Sequence, residues 1–339
     1  MRTHVLWIWV ATGGLLLGCE DSLLRSHVDG KSASEWRGGD GPGPSVDLPL
    51  GDHGSPDAPQ RDSAVQADKA GKLDAATAPD AAVVGNPALF TQSVFEMDFS
   101  QGANGKYRAN GGAWQDFNAW NQAGTNGGWT NAGVYVQTTS AVRTELVANA
   151  LGAGNVLRTW IQAGDVWKSG AAYPRTELTS SFTGNVAFKS EWRLELPFYL
   201  SGDISSPGDT ITGFQLHHNG NTGSPPFGLF LQNGTLRFLI EETSSGSNWT
   251  VLPILSVQAN TRYDVVVELK LGYVSDGAYV KLWVNGKQYV NLTNRNVGYP
   301  DVETTAGYWK FCSLYDWGNS VKGTRSVYSG PTVRMLKRP

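Results

Sequence analysis

Cysteine is nearly absent from this chain: its 339 residues include two, Cys19 and Cys312. A scaffold stapled by several disulfides is therefore excluded. Charge is sparse as well, at 17% of residues. The charge that exists is unevenly spread: residues 91–339 carry a net +2, whereas residues 20–90 carry −6. The larger part is thus no basic body of the kind that tracks nucleic acid, and no nucleic-acid partner is expected. Long hydrophobic runs are missing too. The longest, Val5–Leu17, is too short to cross a bilayer. What the chain has in abundance is glycine (41), tryptophan (13) and tyrosine (12), a composition suited to a β-rich fold with many turns.

Arg2 and His4 precede the Val5–Leu17 run, which ends in Leu16-Leu17-Gly18-Cys19. A short apolar segment after a basic start, closed by a small residue, reads as an export signal spanning residues 1–18. The closing tetrapeptide resembles the bacterial lipobox. That resemblance implies that Cys19 becomes the lipidated N-terminus of an envelope protein, held at a periplasmic or outer membrane surface. Cys312 is then the single remaining thiol, so the mature chain forms no internal disulfide.

Residues 19–88 are rich in Asp, Gly, Pro, Ser and Ala, hold Trp36 as almost their sole aromatic residue, and lack apolar periodicity. Such a segment buries too little surface to offset its ordering entropy, and a disordered tether is expected. From residue 89 onward short alternating apolar runs appear between Gly, Asn, Asp and Pro. Strands are expected at 93–99, 133–138, 155–162, 175–182, 186–196, 211–218, 227–232, 235–241, 262–270, 278–284, 288–292, 308–314 and 330–336. Asn233-Gly234 and Asn285-Gly286 mark two tight hairpins. Thirteen strands without an amphipathic helix predict one all-β domain over 89–339, a monomeric jelly-roll (concanavalin-like) β-sandwich of two antiparallel sheets.

Three strands carry candidate chemistry. Within residues 89–339 the only histidines are His217 and His218. The alternation of Phe214-Gln215-Leu216-His217 sends Phe214 and Leu216 to the core, and Gln215 and His217 outward. A polar solvated face would show the same pattern. Arg175-Thr176-Glu177-Leu178 places Arg175 and Glu177 on one face, as a cross-strand ion pair or as an arginine held for a carboxylate. The same tetrapeptide occurs at 143–146, but Trp167-Lys168-Ser169-Gly170 leads into the second copy as a loop leads to a rim. The third segment runs Tyr308-Trp309-Lys310-Phe311-Cys312-Ser313-Leu314-Tyr315. Cys312 reads as a small core residue, with no His beside it to make it a nucleophile.

In that order, the three segments resemble the jelly-roll polysaccharide lyases, the group of alginate lyases, glucuronan lyases and heparin-lyase-like proteins. Gly223-Ser224-Pro225-Pro226 and the run Asp276–Lys287 are similar to the heparin-lyase-like branch. The resemblance spans most of 89–339. It implies β-elimination on an anionic, uronic-acid-containing polysaccharide, with Arg175 and Gln215 on the carboxylate and His217 and Tyr315 moving protons. It further implies that Glu177 orients Arg175, that Lys310 meets a neighbouring carboxylate, and that no cofactor is required. Some members bind calcium, but no dense Asp/Asn loop here calls for it. One departure stands out. Lys310 and Tyr315 are five residues apart, where the alginate-lyase pattern has four, and on a regular strand they would face opposite ways. Either a bulge realigns them or Tyr308, which shares a face with Lys310, takes the place of Tyr315.

Two other functions fit the same fold. A retaining glycoside hydrolase needs a carboxylate pair, yet Glu241-Glu242 is adjacent in sequence and Glu191/Glu195 lies in an apolar-looking strand. A lectin-like binding module would need the aromatics but not His217 and Gln215 beside Arg175.

Overall fold

The structure, a computed structural model, describes residues 84–102, 105–117, 128–129, 134–137, 143–165, 174–180, 186–208, 210–218, 225–243, 249–299, 307–316 and 320–339. The expected leader, Cys19, the tether up to residue 83, the Trp167–Gly170 loop and Gly223-Ser224 lie outside the described residues.

The described strands, in chain order, begin with β1 (Gln92–Asp98), β2 (Lys106–Ala109), β3 (Gln115–Asp116), β4 (Gly128–Trp129), β5 (Val134–Gln137) and β6 (Thr144–Ala148). They continue with β7 (Asn155–Gln162), β8 (Arg175–Ser180), β9 (Glu191–Gly202), β10 (Thr210–His218), β11 (Phe227–Gln232), β12 (Thr235–Glu241) and β13 (Trp249–Ser256). The last are β14 (Tyr263–Lys270), β15 (Tyr279–Val284), β16 (Lys287–Leu292), β17 (Gly307–Asp316), β18 (Thr324–Ser329) and β19 (Thr332–Lys337). They form two sheets. The front sheet runs β13-β12-β11-β10-β17-β8-β5-β4, and the back sheet runs β16-β15-β14-β9-β19-β1-β2-β3, with β18, β7 and β6 attached through β9. The pairings are antiparallel, as the expected jelly-roll sandwich requires.

Alternation drives the packing. Leu178, Phe214, Leu216, Phe238, Trp309 and Phe311 of the front sheet turn inward to meet Trp192, Leu194, Leu196, Val265 and Val267 of the back sheet in one continuous core. Trp192 and Trp309 meet across the sheets edge to face, with ring centroids 5.9 Å apart. Each such side chain contributes about 1.5–3 kcal/mol by leaving water. The outward positions of the front sheet are thereby left for polar groups.

Several strands differ from expectation for local reasons. The strand expected to end at Leu196 continues through Pro197 to Gly202. Pro197 is tolerated because it sits where one edge of β9 passes from β19, paired at Glu195–Arg334, to β18, paired at Phe198–Ser329. Strand β13 was not expected, since Pro253 interrupts it, and it lies at the edge of the front sheet, where a missing N–H is harmless. The first Arg-Thr-Glu-Leu copy also forms a strand, β6, paired with β7 on the back sheet. Finally, the folded unit starts before the expected boundary at residue 89. Arg193 Nη1 donates to the Val84 carbonyl at 2.9 Å, and the Asn86 N–H donates to Glu268 Oε1 at 2.9 Å.

Candidate active site

Strands β10 and β17 pair residue by residue, so that Gln215 faces Lys310 and His217 faces Tyr308. Directly opposed residues of an antiparallel pair share a face. Phe214 and Leu216, with partners Phe311 and Trp309, take the core side. Gln215, His217, Tyr308 and Lys310 therefore share the outer side of the front sheet, as the alternation predicts for Gln215 and His217. The His217 and Tyr308 rings stack at 5.0 Å, with their planes 20° apart.

The spacing between Lys310 and Tyr315 is resolved by a bulge. The ladder to β10 passes from Phe214–Phe311 to Gly213–Ser313, leaving Cys312 without an opposite residue. Cys312 has φ 49°, the left-handed region that a side chain seldom enters. Its side chain joins Phe311 and Leu314 in the core. One extra residue restores the phase, and Tyr315 returns to the side of Lys310. There it pairs with Arg175 of β8, whose guanidinium carbon lies 4.3 Å from the Tyr315 ring centre. Both tyrosines weighed for the site are thus on its face.

A buried carboxylate organises the floor. Glu177 has no exposed surface, and Gln215 and Lys310 are nearly as enclosed. Gln215 Nε2 donates to Glu177 Oε1 at 2.7 Å, and Lys310 Nζ donates to Oε2 at 3.0 Å. Arg175 Nε lies 3.9 Å from that same Oε2. A carboxylate held away from water costs several kcal/mol unless cations and donors surround it, and here they do. Lys310 is expected to meet a neighbouring carboxylate of the substrate; in the structure its ammonium meets Glu177. The floor is therefore Glu177, Gln215 and Lys310, and the rim is Arg175, His217, Tyr308 and Tyr315, all partly exposed.

Gly228 of β11 completes the floor. A Cβ there would come within 3.0 Å of both the Gln215 Cβ and the Phe214 carbonyl oxygen. Gly228→Ala is expected to displace Gln215 and weaken its bond to Glu177, with a loss of about 1 kcal/mol in stability. Thermal melting checks this, and an unchanged melting temperature would show that the strand accommodates the methyl group without moving Gln215.

The competing carboxylates are occupied elsewhere. Glu241 is buried and accepts from Tyr299 Oη at 2.6 Å, and Glu242 pairs with Arg295. Glu191 and Glu195, on the back sheet, pair with Arg338 and Arg334. The first Arg-Thr-Glu-Leu copy is spent in the same way, with Arg143 bidentate to Asp165 and Glu145 on Arg158. Burial pushes the Cys312 thiol up to about 12, consistent with a core residue that is no nucleophile. The His218 side chain lies outside the described residues.

Three residues of this face escaped the sequence reading. Phe230 and Leu239 form a small apolar cluster apart from the core, and Tyr315 packs against it. Arg237 lies opposite Phe230 on β12, two residues before Leu239 and flanked by the inward Leu236 and Phe238. The alternation of 235–241 signals that Arg237 points outward, but it cannot tell that β12 lies in the same sheet as β10.

Fold and site together define the class: a jelly-roll β-sandwich with a polar cluster across three central strands of one sheet. Two solved structures are similar to it, and the first shares its fold. One is the endo-β-1,4-glucuronan lyase of the fungus Trichoderma reesei, at 19% identity and TM-score 0.51, covering 62% of this chain and 93% of that one. Another is an alginate lyase of Pseudomonas aeruginosa, at 16% identity and TM-score 0.44, covering 71% and 97%. At these identities the likeness is one of fold. No family model and no curated protein matches the chain.

Proposed function

We propose that this protein is a polysaccharide lyase that cleaves a uronic-acid-containing chain by β-elimination. The observation that supports this most directly is the floor of Glu177, Gln215 and Lys310, with Arg175, His217 and Tyr315 at its rim. Elimination begins with removal of the proton from the carbon bearing the carboxylate. The electron pair forms a double bond to the neighbouring carbon, whose bond to the glycosidic oxygen breaks, and that oxygen takes up a proton. Negative charge grows on the carboxylate as the proton leaves, and Arg175 with Gln215 supplies the donors that stabilise it. Glu177 fixes the Gln215 amide, so the donor is set before substrate arrives. Tyr315 returns a proton to the leaving oxygen, and it also serves as base when both protons lie on one side of the ring. His217, two residues beyond Gln215 on the same face, serves as base from the other side, its ring held by Tyr308. The same reading has the mature protein monomeric and lipid-anchored through Cys19 at the bacterial cell envelope.

The test is ultraviolet absorbance of the unsaturated uronate. The purified full chain is incubated with glucuronan, alginate, heparan and pectate, with His217→Ala alongside. A rise on one polyuronate that the substitution lowers at least a hundredfold is expected. Binding without any rise would replace the lyase by a carbohydrate-binding module, and cleavage of a neutral glucan would replace it by a hydrolase.

A further inference from the structure

Among the described residues, Arg237 is the one cation of the outer front-sheet face that the site does not use. Leu236 and Phe238, its neighbours on β12, are fully buried in the core, so its own side chain leaves on the side of the Phe230–Leu239 cluster. Among the described residues Arg237 has no hydrogen-bond or ion-pair partner, and its Nε is buried without one. An arginine stays charged at any working pH and carries five donors. A buried donor left unmet costs free energy. Of the acids that follow it in sequence, Glu241 accepts from Tyr299 and Glu242 from Arg295.

Register gives this cation a place. Arg237 pairs with Phe230, Phe230 with Ile211, Ile211 with Tyr315 and Tyr315 with Arg175. The two arginines thus end one row that crosses the strands. Four interstrand steps separate them, about 19 Å in a flat sheet and less in a curved one. Between them lies the partly exposed Tyr315 ring, a surface on which the face of a sugar ring can rest, packed against the buried Phe230.

We propose that Arg237 is a second carboxylate-binding position. It would take a uronate several sugars along the same chain from the one at Arg175, with the polysaccharide running across the strands along this row. This inference rests on the lyase reading for the identity of the first position, and it adds the direction of the chain and a distal anionic subsite. It also makes the protein selective for long, uniformly charged chains over short or sparsely charged ones.

The test measures affinity as well as cleavage. Full-length protein carrying Tyr315→Phe, which keeps a bound chain intact, is compared with the same protein carrying Arg237→Gln in addition. The probes are a long polyglucuronate or alginate, its carboxyl-reduced neutral counterpart, and an oligomer too short to cross the sheet. Loss of a charge-assisted pair should weaken binding of the long anionic chain about tenfold or more, leaving the neutral chain and the short oligomer unchanged. Arg237→Lys should recover part of the loss. In the otherwise unaltered protein, Arg237→Gln should raise KM for long chains while kcat holds. Equal binding of the long anionic chain with and without Arg237 overturns the subsite, as does an equal loss on all three probes. Absence of unsaturated product with the affinity difference intact would overturn the lyase reading alone.

Discussion

Tyr315→Phe is expected to lower turnover on a polyuronate by about two to four orders of magnitude, the usual contribution of a placed proton-transfer group. The substitution removes one hydroxyl. The ring that lies under the Arg175 guanidinium and packs on Phe230 and Leu239 remains. Stability should therefore change by less than about 1 kcal/mol, and KM should hardly move, because ring contacts to the substrate survive. Tyr308→Phe serves as the comparison. Its ring stacks on His217 and would continue to do so, and a smaller loss of about tenfold is expected. Single-turnover rates on one polyuronate, with melting curves for each variant, decide the matter. A large loss for Tyr308→Phe beside a small one for Tyr315→Phe would move the proton transfer to the His217 end of the site.

Glu177→Gln should have the largest effect on stability of any change at the site. The new side chain has nearly the same shape, and its amide oxygen can still accept from Gln215. The charge is gone, however, and buried Lys310 loses the carboxylate that answers it at 3.0 Å. Breaking a buried ion pair from one side costs about 3–5 kcal/mol, which for a domain of this size lowers the melting temperature by about 10 °C. Glu177→Gln combined with Lys310→Met removes both charges, and most of the lost stability should return. Catalysis should not return with it, because Arg175 and Gln215 would have lost the anion that sets them. Chemical denaturation of the two single variants and the double variant gives the coupling energy directly. If the single change costs under about 1 kcal/mol, the floor is not an ion-paired network. If the double variant regains turnover, Glu177 does not position the donors.

These expectations show where sequence sufficed and where it did not. Period-two alternation separated Gln215 and His217 from Phe214 and Leu216 without reference to any other strand. It separated Arg175 and Glu177 from Thr176 and Leu178 in the same way. That β8 and β10 both lie beside β17 is a long-range fact, and no local pattern states it. The strands that escaped notice are short, polar or broken by proline, such as Lys106–Ala109, Thr144–Ala148 and the Pro253-containing edge strand. Their partners stabilise them, not their own composition. Arg237 belongs to the same lesson. Its outward direction was legible, and its membership in the row of Arg175 and Tyr315 came only with the register of β10, β11 and β12. The role of Lys310 was hidden for a related reason, since an ammonium on the correct face still had to be seen meeting Glu177 across two strands.

The bulge at Cys312 reaches further than the tyrosine it turns. The residue after Tyr315 is Asp316, which is fully buried on the opposite side of β17. Its carboxylate accepts from the Ser320 N–H at 2.6 Å and the Val321 N–H at 3.0 Å, tying down the chain on its way to β18. Cys312 thus acts as a phase shifter for everything downstream in the strand. Deleting it would move Tyr315 and Asp316 in antiphase, burying the phenol and exposing the carboxylate where the substrate's own negative charge is to sit. Catalytic geometry and chain reversal are set by the parity of a single residue, so a change in length here cannot be neutral for one and harmful to the other.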